Sequence, residues 1–326
     1  MIFDGLFFHN VAAMPADSAY PGYRLQRLPN EIKAYVDSRA ADLCRSVEIR
    51  FYVHENPLHV LDGAVYLMAR DTDGEAVIFW GDYQTPDVIP LPCGVITPVH
   101  IAFPSALADL PAGRFPNRLC RIFLNNRSSV QYIGHEGLDV RPPRPKEQPQ
   151  KKLVCIGSSI THGGVARSNC NCFAQLTAQR LGMDIINLGF SGSMKAAPEL
   201  ADYIAQCVQG DAFFVELGAN MLDDFSIDAF ESRARYMLKT IALSHPDAPV
   251  IATGIPYGVW NAVKREAFNK ALEDCVSDLA LPNLHFLISE KLMPDWSLLS
   301  ADGIHPSDYG HIVMSEKLTE EIKKYL

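Results

Sequence analysis

The sequence predicts two domains: an all-β sandwich over residues 1–145 and a three-layer α/β domain with a parallel sheet over residues 151–326. Three observations lead there. At 326 residues the chain exceeds the size at which one hydrophobic core usually keeps growing. The run Arg141-Pro142-Pro143-Arg144-Pro145-Lys146-Glu147-Gln148-Pro149-Gln150 is proline-rich, charged and without apolar periodicity, the composition of an extended connector. Across it the hydrophobic period changes, from short alternating runs to apolar runs that alternate with helical stretches.

Upstream, Val47, Ile49, Phe51 and Val53 alternate with Glu48, Arg50, Tyr52 and His54, the period of a half-buried strand. Short runs at 64–69, 77–80, 99–103, 119–124 and 130–133 are separated by Gly, Pro, Asp and Asn clusters, as a β sandwich requires. A helix over 30–43 precedes them. Downstream, apolar runs at 153–156, 185–186, 212–215, 250–252 and 285–287 alternate with helical patterns at 172–181, 198–208, 228–243, 261–279 and 308–325. That alternation describes a parallel sheet covered on both faces.

Composition narrows the function classes. A hydrophobic fraction of 48% with 21% charged residues and a mean hydropathy of zero describe an ordinary globular chain. The net charge of -9, with no Lys/Arg run, opposes a phosphate backbone, so nucleic acid is not an expected partner. The first residues lack a basic, signal-length apolar pattern, and no apolar run reaches membrane length. A cytoplasmic protein without a membrane partner is expected. Eight cysteines are scattered. Cys170 and Cys172 form C-x-C rather than the C-x-x-C of redox and zinc sites, and Cys155 and Cys275 sit in apolar segments as buried thiols. Asn126-Arg127-Ser128 is a glycosylation sequon that matters only in a secreted eukaryotic protein.

Ligands of open α/β sheets bind beyond the carboxyl ends of the strands, and four such loops carry polar groups. In Gly157-Ser158-Ser159-Ile160-Thr161-His162-Gly163-Gly164 the glycines permit a sharp turn and the following helix amino terminus offers backbone donors. Taken alone, a serine at a strand–helix junction reads first as a cap. Asn187-Leu188-Gly189-Phe190-Ser191-Gly192-Ser193 offers an unshielded glycine amide, or a plain turn. Glu216-Leu217-Gly218-Ala219-Asn220 supplies an amide side chain, a possible oxyanion donor or turn residue. Asp302-Gly303-Ile304-His305-Pro306 puts a carboxylate and an imidazole three residues apart. Together these are a nucleophile, oxyanion donors and an acid-supported base on successive loops of one domain.

The set resembles the conserved blocks of the SGNH (GDSL) hydrolases across residues 151–326. Gly157-Ser158-Ser159 with Gly163 is similar to the first block, Gly192 to the second, Gly218-x-Asn220 to the third and Asp302-x-x-His305 to the fifth. Ser158 and Met221 stand where the family often has Asp. The resemblance implies a flavodoxin-like catalytic domain with Ser159, Asp302 and His305 as catalytic residues. It also implies an oxyanion hole from the amides of Ser159 and Gly192 and the side chain of Asn220. An amino-terminal β region ahead of such a domain resembles family-two carbohydrate esterases, which carry a jelly-roll module. Relatives of that plan act on acylated sugars or transfer acyl groups. The expected function is therefore a serine esterase acting on short-chain, acetyl-type esters of a carbohydrate or similar polar alcohol. Its alternatives are an acyltransferase using the same serine or an inactive carbohydrate-binding protein.

Other motifs fail. No G-x-S-x-G elbow occurs; His54-Glu55-Asn56-Pro57-Leu58-His59 is one residue too long for H-E-x-x-H and Pro57 would break its helix; no phosphate-binding glycine motif appears. No cofactor and no metal site are expected. Tyr257, Trp260 and Trp296, with Trp80 and Tyr83 upstream, are either substrate-facing rings or ordinary packing. Leu292, Met293, Trp296, Leu298 and Leu299 are an acyl groove or core.

Overall fold

The computed structural model describes residues 1–54, 63–125 and 127–326. Residues 55–59 of the run from His54 to His59, and Asn126 of the sequon, lie outside the described residues. The chain packs as two compact units, one of 1–30 with 41–150 and one of 31–40 with 151–326.

The first unit holds strands β1 (Ile2–Phe3), β2 (Leu6–His9), β3 (Tyr23–Arg24), β4 (Val47–Val53), β5 (Gly63–Ala69), β6 (Gly74–Trp80), β7 (Tyr83–Leu91), β8 (Thr97–Ile101), β9 (Cys120–Leu124), β10 (Val130–Glu136) and β11 (Val140–Arg141). They form two antiparallel sheets, one in the order β1-β2-β4-β9-β6-β7 with β11 on β4, the other β3-β10-β5-β8. Ile49, Phe51, Ile78, Trp80 and Ile122 of the first sheet share one core with Val65, Leu67, Val99, Ile101 and Tyr132 of the second.

Several expectations are corrected here. The helix over 30–43 is two short helices, α1 (Asn30–Lys33) and α2 (Ser38–Asp42), because the Asp37 carboxylate accepts from Ala40 N and caps a new start. β4 is not half-exposed, since Glu48 and Arg50 are as buried as Ile49. Glu48 accepts from Arg50 Nε and Arg121 Nε at 2.8 Å each, so the charged face is closed by its own counter-ions. The 141–150 run is folded back: Arg141 grips Glu147 through two bonds of 2.8 and 2.9 Å, and Gln148 accepts from Arg50.

In the second unit β12 (Lys152–Gly157), β13 (Asp184–Gly189), β14 (Ala212–Glu216), β15 (Val250–Thr253) and β16 (Leu284–Leu287) alternate with α3 (Phe173–Arg180), α4 (Pro198–Cys207), α5 (Ile227–Ser244), α6 (Ala262–Leu279), α7 (Ser289–Leu292) and α8 (Asp308–Ile322). The strands are parallel in the order β13-β12-β14-β15-β16. Leu153, Cys155, Phe214 and Ile251 point into a core with Phe173 of α3 and Met314 and Leu318 of α8. The intervening Val154, Phe213, Val215 and Ala252 are equally buried, so both faces are covered and the strands read as continuous apolar runs. From β12 the chain steps outward to β13 and then returns to β14 on the other side. In open α/β sheets ligands bind at such a reversal, beyond the carboxyl ends of the strands. Among the described residues, no helix is long and apolar enough to cross a membrane.

Candidate active site

Ser159 follows β12 in a series of tight turns rather than at a helix start, since α3 begins only at Phe173. His162 N bonds Ser158 O at 3.0 Å and Gly164 N bonds Ser159 O at 2.7 Å. The expected helix terminus behind the serine is thus replaced by the turn's own amides. Ser159 Oγ lies 2.7 Å from His305 Nε2, and His305 Nδ1 lies 2.7 Å from Asp302 Oδ2. The ring edge of His305 rests on Gly164, where an added Cβ would come within 2.7 Å of His305 Cδ2 and 2.9 Å of Ser159 O. Only glycine leaves room for serine and imidazole to meet.

The Asp302–His305 loop is organised by the carboxylate itself. Asp302 Oδ1 accepts from Ser300 Oγ at 2.7 Å and from Ile304 N and His305 N at 2.9 Å each. Partial burial opposes ionisation, but donation from His305, Ile304 and Ser300 outweighs it and holds the Asp302 carboxyl well below the usual range. A charged Asp302 facing Nδ1 fixes the tautomer that leaves Nε2 as an acceptor for the serine proton.

The other two loops are stitched to the serine turn. Phe190 N bonds Gly157 O at 2.8 Å, and Asn187 Nδ2 donates to Thr161 O at 2.9 Å. His162 Nδ1 meets Ser191 Oγ at 3.0 Å. Gly192 follows in an exposed turn at φ 73°, and its N–H has no partner among the described residues. Asn220 Oδ1 accepts from Met194 N at 3.2 Å, which turns Nδ2 away as the remaining donor. Sequence reasoning had passed over Glu216, Ser300, Gly164 and His162 as roles. The available signal was a glutamate closing a wholly apolar strand.

The other candidates sort by burial. Trp80 is core, its Nε1 donating to Ala102 O at 3.0 Å, and Tyr83 donates to Pro111 O. Leu292, Met293 and Leu298 are buried, whereas Trp296 is 55% exposed and lies 5.4 Å from the Tyr257 ring. Val259 N donates to Gly303 O at 2.8 Å, tying the loop after β15 to the Asp302 loop. Burial pushes the Cys44 thiol up to about 12 and the Cys275 thiol to about 11, so neither is a thiolate nucleophile near neutrality. A cleft of about 340 Å³ opens at the opposite, amino-terminal ends of the strands. Its imidazole, His245, has both ring nitrogens on backbone carbonyls, those of Ile241 and Val208.

Residues 150–323 match the GDSL-like lipase/acylhydrolase family. The chain belongs to that family. It is an ester hydrolase of the GDSL type, within the esterases and acyltransferases that share this fold. Among solved structures, it is similar to the salicylyl-acyltransferase SsfX3 from a tetracycline biosynthetic pathway, at 16% identity over 98% of this chain and 95% of that one, with a TM-score of 0.79. A putative GDSL-like lipase from Bacteroides ovatus is 19% identical over 98% and 96%, with a TM-score of 0.69. A family-two carbohydrate esterase from Clostridium thermocellum, in complex with cellohexaose, is 16% identical over 85% and 91%, with a TM-score of 0.62. At these identities the likeness is one of fold. No curated protein sequence matches.

Proposed function

We propose that this GDSL hydrolase cleaves short-chain, acetyl-type esters of a carbohydrate or similar polar alcohol through an acyl-enzyme on Ser159. The observation that carries the acyl-enzyme chemistry is the continuous Ser159–His305–Asp302 chain, with two contacts of 2.7 Å each, and likeness in fold to a family-two carbohydrate esterase supports the choice of alcohol. His305 takes the Ser159 proton as Oγ attacks the ester carbonyl, and Asp302 stabilises the imidazolium. The N–H groups of Ser159 and Gly192 and Nδ2 of Asn220 receive the oxyanion. His305 returns the proton to the departing alcohol, then activates water to release the acid. The antiparallel unit is read as a jelly-roll-type module, a reading supported by its two sheets around one core.

A second reading replaces that water with a bound alcohol and makes the protein an acyltransferase. It is favoured by the similarity over 98% of the chain to a protein named as an acyltransferase. Product analysis with acetylated sugars and acyl-thioester donors separates the two readings. In that assay Ser159→Ala is expected to be inactive while still folded, and turnover above background in the purified variant sinks both. Across p-nitrophenyl esters from acetate to palmitate, kcat/KM should peak at the short end. A maximum at eight carbons or beyond counts against the carbohydrate ester.

A further inference from the structure

We propose that Glu216 is a positioning residue for the nucleophile turn, holding Ser158 and Thr161 so that, of this turn's amides, the Ser159 N–H is the one left to join Gly192 and Asn220 at the oxyanion. The inference rests on the reading of Ser159 as nucleophile and adds a residue that never touches substrate.

The argument begins with where the strands put the carboxylate. Glu216 ends β14, which pairs with β12 so that Val215 lies opposite Ile156. Its side chain therefore rises beside the Gly157–Ser158 corner. That corner has no room for a side chain, since a Cβ on Gly157 would lie 2.6 Å from Glu216 Oε2. Once there, the carboxylate is 2% exposed, and its bonds are one-sided. Oε2 accepts from Ser158 N at 2.8 Å, Ser158 Oγ at 2.8 Å and Thr161 Oγ1 at 3.0 Å, and Thr161 N–H donates to the carboxylate as well. Oε1 has no hydrogen-bond partner among the described residues. A glutamate serving packing alone would not direct its bonds onto one turn, whereas one that organises the turn must.

The consequence appears in the backbone amides. Ser158 N and Thr161 N go to Glu216. Ser158 Oγ, oriented by donating to Glu216, accepts from Ile160 N at 3.1 Å. His162 N, Gly163 N and Gly164 N go to the carbonyls of Ser158, Ile160 and Ser159. From Ser158 to Gly164, Ser159 N alone has no partner among the described residues. Without the carboxylate, Ser158 Oγ loses its fixed rotamer, and the amides of Ser158, Ile160 and Thr161 must find other acceptors. The Ser159 N–H then shifts against the place where negative charge develops, and a misplacement near 1 Å costs on the order of 10² in rate.

The test compares Glu216→Gln and Ser158→Ala with the native chain and Ser159→Ala. Hydrolysis of p-nitrophenyl acetate is measured per active site counted by fluorophosphonate labelling, alongside inhibition by phenylboronic acid. The boronate forms a tetrahedral adduct that uses the same amide as the oxyanion, while KM reports the ground state. In both Glu216→Gln and Ser158→Ala, kcat should fall by about 10 to 10², with KM little changed. The boronate inhibition constant should rise by a similar factor. A role in folding alone lowers the melting temperature and leaves kcat per labelled site and boronate affinity within twofold, which overturns the proposal. So does a change confined to KM. If Glu216→Gln does not fold, Ser158→Ala decides by the same readouts. Activity surviving in Ser159→Ala overturns both this inference and the reading beneath it. Activity lost there but intact in the other two variants overturns this inference alone.

Discussion

Two glutamates, one in each unit, are almost wholly enclosed, and their surroundings are opposite. Glu48 in the antiparallel unit faces cations: Arg50 Nε and Arg121 Nε reach Oε2, and the far end of Arg121 reaches Oε1 at 2.8 Å. Phe115 lies against the same guanidinium at 4.0 Å. Burial raises the cost of the Glu48 charge, but Arg121 and Arg50 overcome it and hold the carboxyl well below its ordinary value. Glu216 in the parallel-sheet unit has, among the described residues, only hydroxyl and amide donors. There burial outweighs the donors from Ser158 and Thr161 and pushes the carboxyl up. Glu48 with its cations ties neighbouring strands β4 and β9 of one sheet to each other, whereas Glu216 is tied by neutral donors to the turn that supplies them.

The contrast can be broken in several ways. Glu48→Ala strands two buried guanidinium groups and should cost roughly 3–5 kcal/mol of stability in urea unfolding, with kcat per labelled site unchanged. A loss under 1 kcal/mol would mean that the cations are not compensating the acid. Next in size, Asn220→Ala should lower kcat by about 10² to 10³, roughly 2.7–4 kcal/mol of transition-state stabilisation. An effect on KM alone would reassign the side chain to ground-state binding.

The third test uses acidity and has a sign for each residue. The folded Glu216 carboxyl titrates above its ordinary 4.5, so between those values the folded state binds more protons and stability falls as pH rises. Stability of Glu216→Gln relative to the native chain should therefore improve as pH rises through and above the ordinary carboxyl value of 4.5. Glu48 titrates below 4.5 when folded, so its contribution is present above that value and fades as pH drops. Glu48→Gln should be most costly near neutrality and converge on the native chain in acid. Slopes of the same sign erase the distinction. The smallest expected effect is none: among the described residues no cluster of three His, Cys, Asp or Glu is placed to hold a metal, and activity should survive EDTA. Loss in EDTA with recovery on adding a divalent ion contradicts this.

The parallel-sheet unit was the more legible in sequence because its signals are local and periodic. Apolar runs, glycine turns and the Asp302–His305 spacing each lie within one short segment. The antiparallel unit concealed more. β7 carries Pro86 and Pro90, which argue against a strand, yet it lies at a sheet edge where a missing N–H is tolerated. β1 and β2 are short and joined at Asp4–Gly5, both with positive φ, so neither offered a run long enough to show a period. Alternation along β4 implies an exposed face, whereas Arg121, distant in sequence, closes its polar side. Glu216 was hidden for the same reason. An acid at a strand end reads as a boundary until the neighbouring strand brings Ser158 against it.

The loop from Ser300 to His305 carries a further implication for how the site is made and remade. Asp302 Oδ1 is saturated by donors within three residues of it, and its other oxygen serves the imidazole of the same loop. The proposed acid and base are thus assembled by one hexapeptide as a preformed cartridge. Joining it to the proposed nucleophile is a docking problem between two small hydrogen-bonded loops, with the Ser159–His305 contact as the join. An engineer wishing to move this chemistry would carry the cartridge unchanged and redesign only the surface that receives it.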